Sequence, residues 1–198
     1  MKFQFQQELF GRLHNERYNI IMASTLRFDK WENTLGVPYG TVLQVKQTVL
    51  SSALSFSPSA ITGTPTIGNT TQIMTINITP TFSNSKILIM ADVNYASTTS
   101  TPGMIIFRGT TPVGIGDIAS NRRRISSGTG YHADANQIAG AGNITFLDSP
   151  ETTGEITYSI RCSSDSTSTV VVNRSINYTD STTGATSIST LTLMEIAQ

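Results

Sequence analysis

Three adjacent arginines are the residues of this sequence whose type and spacing most favour ion pairing or anion binding. Arg122, Arg123 and Arg124 follow Asp117 closely, in a chain in which only 13% of the residues are charged. Guanidinium groups match carboxylate and phosphate oxygens in shape, and an arginine buried without a partner is costly. The cluster is consistent with ion pairs to Asp117 or Asp180 at a subunit interface, with a basic patch for an anionic glycan, or with a solvated loop.

No other residues indicate catalysis or metal binding. The chain has 2 histidines and 1 cysteine, too few for a metal cluster. His132 lies near Asp134, but no Gly-x-Ser-x-Gly turn presents a serine nucleophile. The acidic residues are scattered beside turn residues, where Asp caps the backbone. Gly114 and Gly116 indicate a tight turn, because no third glycine completes a dinucleotide-binding loop. We therefore predict no catalytic, metal-binding or cofactor-binding residues and no enzymatic activity.

The composition also argues against two classes of partner. The formal net charge at pH 7 is +0, whereas nucleic-acid binding usually requires a basic excess. No apolar run approaches the ~20 residues of a membrane span, and the first residues do not form a signal peptide. The single cysteine, Cys162, alternates with polar neighbours, so we predict an inert thiol in the core.

From Tyr39 onward the apolar residues recur with a period of two, which is typical of β-strands. Ile87, Ile89, Ala91, Val93 and Tyr95 form the clearest inward-facing row. About eight to ten strands at a spacing of roughly ten residues are typical of an antiparallel sandwich or jelly roll. The expected strands are 43–49, 74–78, 87–95, 104–107, 113–115, 144–147, 156–162, 170–173 and 186–196. We predict an all-β, antiparallel, jelly-roll-like sandwich over residues 37–198, with a long surface loop over 51–71.

Residues 1–36 differ from this domain, because residues 1–33 carry nine of the 26 charged side chains. Within residues 3–21 the apolar members recur at spacings of three and four, which indicates one face of a helix, and residues 23–40 are expected to form a connector. The helix either packs on its own β domain or a sister subunit, or anchors the chain to a neighbouring protein. The residues expected to form this anchor are Phe3, Phe5, Leu9, Phe10, Leu13, Ile20 and Ile21.

A series of short motifs over residues 22–198 resembles the small tail-fibre-like virion surface proteins of cyanophages and other aquatic tailed bacteriophages. The start at Met22 is similar to the way those proteins begin, and residues 1–21 depart from the resemblance. The motifs follow one another in the order seen in that family: Gly114–Asp117, Arg122–Arg124, Thr129–Tyr131, Leu147–Pro150, Val172–Ser175, Thr179–Asp180 and Thr192–Ala197.

The resemblance implies a non-enzymatic, homotrimeric virion protein that is assembled in the host cytoplasm. It favours a short tail-fibre or baseplate-attached protein whose loops, including 97–103 and 120–140, contact a glycan or protein of the host surface. A trimeric capsid decoration protein is the alternative. In either case the N-terminal segment would join other virion proteins, without nucleic-acid binding or membrane insertion. The residues expected at the trimer interface or ligand contact are Asp117, Arg122, Arg123, Arg124, Tyr131, Arg174 and Asp180.

Overall fold

A computed structural model describes residues 36, 39–97, 99–128, 140–177 and 184–198 of the chain. Within these ranges the secondary structure consists of strands and one short 3-10 helix, Ile67–Asn69. No helix there is long and apolar enough to cross a membrane. The strands are β1 Val42–Leu50, β2 Leu54–Phe56, β3 Thr71–Ile78, β4 Lys86–Ala96, β5 Gly103–Arg108, β6 Thr111–Val113, β7 Ser127–Gly128, β8 Gly140–Asp148, β9 Ile156–Ser163, β10 Val170–Val172 and β11 Ser189–Ile196.

Three of the eleven strands prolong another strand. β2 pairs with β10, and β1 pairs with β11, while β10 and β11 both pair with β4. Since β8 occupies the other edge of β4, β10 continues β11 and β2 continues β1. In the same way β6 and β7 share one edge of β5, because β9 occupies the other. Eleven strands less three leaves eight strand positions.

These eight positions form two four-position antiparallel sheets. The first sheet has the order β1/β2, β11/β10, β4, β8, and the second has the order β3, β9, β5, β6/β7. Numbered along the chain, the positions run 1-8-3-6 in one sheet and 2-7-4-5 in the other. This is the order of an eight-stranded jelly roll, in which two Greek keys close around one core. The predicted all-β, jelly-roll-like sandwich is confirmed.

The core lies between the inner faces of the two sheets. The predicted inward row of β4, from Ile87 to Tyr95, is buried, as the alternation of side chains along a strand requires. Ile106, Ile160 and Cys162 face it from the second sheet. Burial raises the pKa of the Cys162 thiol to about 12, so the thiol stays protonated at neutral pH, in line with an inert core residue.

The prediction of a long surface loop over 51–71 was wrong in part. That stretch contains β2 and the 3-10 helix, and Ile61 is buried. Ala60 forms a bridge with Ser164, and the Ile61 amide donates to the Ser164 carbonyl at 3.1 Å. The Arg161 guanidinium binds the carbonyl of Thr70 at 2.7 Å. The backbone groups of this stretch find partners on β9 or directly after it, which holds the stretch against the second sheet.

Two predicted strand boundaries shift because of backbone conformation. β10 ends before Asn173, which has φ 61, and β6 ends before Gly114, which has φ 58. Neither conformation continues a strand. The predicted N-terminal helix and the anchor residues Phe3, Phe5, Leu9, Phe10, Leu13, Ile20 and Ile21 lie outside the described residues, so that part of the prediction is not tested.

Candidate functional site at the long-loop end

The two ends of the sandwich differ in character. One, the short-turn end, carries the turns 79–85, 109–110 and 149–155. The chain also enters the sandwich there, since the Gly40 amide donates to the Ala197 carbonyl and the Ala197 amide to the Thr41 carbonyl, both at 2.9 Å. The other, the long-loop end, carries residues 57–66, 99–102, 114–126 and 164–166. Loops held on a rigid scaffold are common sites of binding, so the long-loop end is the candidate site.

The insertion 114–126 separates β6 from β7 and carries the three arginines. Ser126 closes its base, because its amide donates to the Met104 carbonyl at 2.9 Å and its hydroxyl accepts from the Ile106 amide at 3.1 Å. A compact loop whose ends meet in this way is an Ω-loop. Ile125 fixes the loop against the sheet, since a Cβ added at Gly103 would lie 2.6 Å from its side chain.

Arg124 ties the insertion to the segment that follows β2. Its amide donates to the Gly63 carbonyl at 3.0 Å. Its side chain donates to the Gly116 carbonyl at 2.6 Å and to the Thr64 hydroxyl at 3.0 Å. One residue therefore braces two loops that are remote in sequence.

Arg123 makes a second brace, through Thr101. Its Nη2 donates to the carbonyl and to the hydroxyl of Thr101, both at 2.8 Å. Thr101 in turn donates from its amide and hydroxyl to the Asp165 carboxylate at 2.9 and 2.6 Å. Partial burial would raise the pKa of Asp165, but the bonds from Thr101 and the charge of Arg123 hold the pKa below its usual value.

The arginine cluster is thus divided in its roles. Among the described residues no carboxylate oxygen lies within 4.0 Å of these arginines; the ion pair found there joins Arg108 and Asp148. Arg123 and Arg124 bind backbone and threonine oxygens, whereas Arg122 and Asp117 are exposed. Their role at an interface or ligand stays a prediction.

Of the other predicted site residues, the structure describes Arg174. Arg174 lies in the connection between β10 and β11, where it bridges to Thr186 and donates to the carbonyl of Ser175 at 3.4 Å. Tyr131 and Asp180 lie outside the described residues, as do His132 and Asp134.

Two polar clusters at the short-turn end were missed by the sequence analysis. In the first, Asp148 of β8 accepts from Arg108 of β5 at 2.9 Å and from the Tyr158 hydroxyl of β9 at 2.6 Å. This contact joins the two sheets. Burial, together with the bond to Asp148, raises the pKa of Tyr158. The signal in the sequence was that Arg108 and Asp148 each end a strand.

The second cluster surrounds Glu195, whose side chain is 0% exposed. Its carboxylate accepts from the Gln44 amide at 2.7 Å, from the Thr81 amide and hydroxyl at 2.7 and 3.0 Å, and from the Phe82 amide at 3.3 Å. Burial would raise the pKa of Glu195, but these hydrogen bonds outweigh it and hold the pKa below its usual value. The cluster fastens the turn 79–85 to β11.

The polar side chains described above hold loops and sheets to one another. Over the ranges that the structure covers, no three His, Cys, Asp or Glu side chains come together to hold a metal ion. On the insertion 114–126 the exposed residues include Asp117, Ile118 and Arg122, and Ile118 is 78% exposed. They offer one acid, one apolar side chain and one guanidinium on a braced loop.

Comparison with known proteins gives structural neighbours only. No protein-family model matches the sequence, and no curated protein matches it. A structure of the Gx strain of infectious bursal disease virus has a TM-score of 0.36 at 11% identity, over 79% of this chain and 43% of that one. The VP2 subviral particle of the same virus has a TM-score of 0.37 at 10% identity, over 85% and 41%. T=1 particles derived from that virus have a TM-score of 0.38 at 11% identity, over 85% and 40%. The chain spans less than half the length of each.

Proposed function

We propose that this chain is a non-enzymatic structural protein of a tailed-phage virion, a short trimeric tail-fibre or baseplate-attached protein that contacts the host surface. The observation that carries the proposal is the opposition of the two ends of the jelly roll. The chain enters the sandwich at the short-turn end, beside Ala197. The cross-braced loops lie at the other end. A chain joined to a particle through the residues before Tyr39 can therefore present the long-loop end outward.

The geometry of the long-loop end suits recognition of a surface. Arg123 and Arg124 hold the insertion 114–126 in place through hydrogen bonds to Thr101 and Gly116, and Arg122 of the same loop is exposed. A loop fixed before binding loses less conformational entropy when it binds. A single arginine contact to an anionic glycan is weak, and three copies in a trimer would raise the avidity.

The fold is compatible with this role. Jelly rolls occur in viral capsid and lectin domains, among others, and one fold serves many functions. The second candidate function is a capsid decoration protein. It is favoured by the exposed apolar side chains Val45 and Leu147 on the outer face of the first sheet, because a protein that packs between capsomers needs such a face.

Immunogold electron microscopy of intact virions, with antibody against this chain, tests the proposal. Label at the tail tip or baseplate is the expected result. Label spread over the head would replace the tail-fibre function by decoration. Intact particles that carry no label, while the antibody recognises the purified chain, would show that the protein is not on the virion surface and would overturn both.

A further inference from the structure

We infer that the outer face of the first sheet is a self-association surface, on which two copies of this chain pack sheet against sheet around a two-fold axis. The inference goes beyond the proposed virion role and does not depend on it. It rests on the pairing register of the first sheet and on the exposure of its side chains.

Between Lys86 and Asp92 of β4, side chains on this outer face form four rows across the strands, because cross-strand partners point to the same side of a sheet. The second row is apolar in all four strands. The rows are, first, Val42, Ile196 and Lys86; second, Val45, Met194, Leu88 and Leu147; third, Gln47, Thr192, Met90 and Thr145; and fourth, Val49, Thr190, Asp92 and Asn143.

The second row is exposed to solvent at its two edge strands and half-buried at Leu88 and Met194 between them. Val45 is 54% exposed and Leu147 is 50% exposed. The outer face of the second sheet differs, because its apolar side chain Phe107 is 0% exposed. The Arg161 guanidinium lies over the Phe107 ring, 5.8 Å from the ring centre. A row of exposed apolar side chains on a sheet indicates a contact surface.

Charge complementarity identifies the occupant as a second copy. Lys86 in the first row and Asp92 in the fourth are both in β4, equally spaced on either side of Ile89. A two-fold axis that runs along the rows at the level of Ile89 places Lys86 of each copy opposite Asp92 of the other. The pair is then made twice, which is the defining property of an isologous interface.

The shapes of the rows complement each other under the same symmetry. A concavity of about 380 Å³ opens on this face, lined mainly by third- and fourth-row residues, among them Met90, Asn143 and Thr145. The axis places the second row of one copy over the third row of the other. Leu88 and Leu147 of each copy therefore lie over the concave side of its partner, and Leu88 meets Met90.

The size of the face predicts a weak contact. With strands ~4.8 Å apart and rows about 6.6 Å apart, four rows across four strands cover roughly 500 Å². Standard interfaces bury about 800 Å² per partner. We therefore expect self-association that depends on concentration. A trimer formed through another surface can coexist with it, in which case the two-fold contact joins one trimer to the next.

Charge reversal in the full-length chain tests the pairing by analytical ultracentrifugation over a range of concentrations. Lys86→Asp and Asp92→Lys each place like charges together twice, and each should weaken self-association about tenfold. The double variant restores opposite charges and should return the affinity to within about twofold of the original, because each pair is reformed with its signs exchanged. Leu147→Lys should abolish the contact.

Lys46→Asp is the matched control, because Lys46 is exposed but lies opposite core residue Leu193, in the inward phase of β1. It should leave self-association unchanged, and thermal unfolding should show every variant folded. An association state insensitive to the single reversals, or single variants that weaken it without rescue by the double, would overturn the inference. A chain that stays monomeric at all concentrations would also overturn it. If in that monomer the charge reversals lower the unfolding temperature, residues of the same chain cover the face.

Discussion

At the scale of single residues, the structure is fastened by buried polar side chains with many neutral partners. Glu195 accepts hydrogen bonds from Gln44, Thr81 and Phe82 and is fully buried. Asn173 plays a comparable part at the junction of β10 and β11. Such groups are costly to leave unsatisfied, whereas each satisfied bond adds only about 1 kcal/mol. Their removal is therefore a sharp test of the packing.

Glu195 should make the stability of the chain depend on pH. Its folded pKa lies below the ordinary value of 4.5, so its contribution is fully present above that value. The contribution is lost as the pH falls through the folded pKa. Glu195→Gln, which cannot accept from every donor, should lower the free energy of unfolding by about 1–3 kcal/mol at pH 7. Urea unfolding should show this difference shrinking in acid.

Glu155→Gln is the control for that experiment, because Glu155 is an exposed carboxylate at a turn. It should change the free energy of unfolding by less than about 0.5 kcal/mol. A difference between Glu195→Gln and the original chain that stays constant from pH 7 into acid would contradict the role given to the ionised carboxylate.

Asn173 should be sensitive to substitution for two separable reasons. Its side chain donates to the Leu50 carbonyl at 2.7 Å and accepts from the Ser189 hydroxyl at 2.6 Å, and its φ is 61. Asn173→Gly removes the side-chain bonds but tolerates this φ, and should cost about 1–3 kcal/mol. Asn173→Ala should cost about 1 kcal/mol more, because it adds left-handed strain. Equal losses in chemical denaturation would show that the backbone is not strained.

At the scale of elements, apolar alternation predicts strands better than it predicts their faces. The row from Ile87 to Tyr95 could be placed in the core because β4 is central and paired on both edges. In the edge strand β1 the apolar Val45 and Val49 face outward. The alternation alone does not show this, because a strand has the same alternating sequence whether its apolar side chains face the core or the solvent.

The polar site residues could be predicted only in part for a related reason. The arginines were singled out by their type, but their partners are set by loops that the fold brings together. Arg124 binds Thr64 across 60 residues of sequence, and Glu195 binds Thr81 across 114. Local patterns carry no information about such pairs. Asp165, which has the appearance of an ordinary turn residue, was missed for this reason.

The insertion 114–126 should loosen when its brace is removed. Arg124→Ala deletes the bonds to Gly116 and Thr64, whereas Arg122→Ala deletes an exposed side chain. We expect Arg124→Ala to increase amide hydrogen exchange in residues 116–125 by about tenfold. The free energy of local opening should fall by about the net contribution of one charge-assisted hydrogen bond. Arg122→Ala is the matched control and should leave the exchange unchanged. Equal exchange in both variants would show that Arg124 does not brace the loop.

At the scale of the whole molecule, the two ends of the jelly roll and the outer face of its first sheet have different structural features. The short-turn end receives the preceding chain at Gly40. The long-loop end carries the braced insertion, and the outer face of the first sheet carries the exposed apolar row. The two proposed contacts, with a host at one end and with a second copy on one face, use different residues. A variant can therefore lose one property and keep the other.

Competition for adsorption separates the two candidate functions. If the long-loop end contacts the host, purified full-length chain should occupy receptors and reduce adsorption of the parent phage. Arg122→Glu should reduce this inhibition about tenfold or more, because it turns attraction to an anionic surface into repulsion. Its fold should be intact, since Arg122 is exposed. Lys46→Glu makes the same change of charge on β1, away from the long-loop end, and should inhibit like the original chain. Inhibition equal in both variants would move the contact elsewhere on the molecule, and a chain that never inhibits adsorption would favour the decoration function.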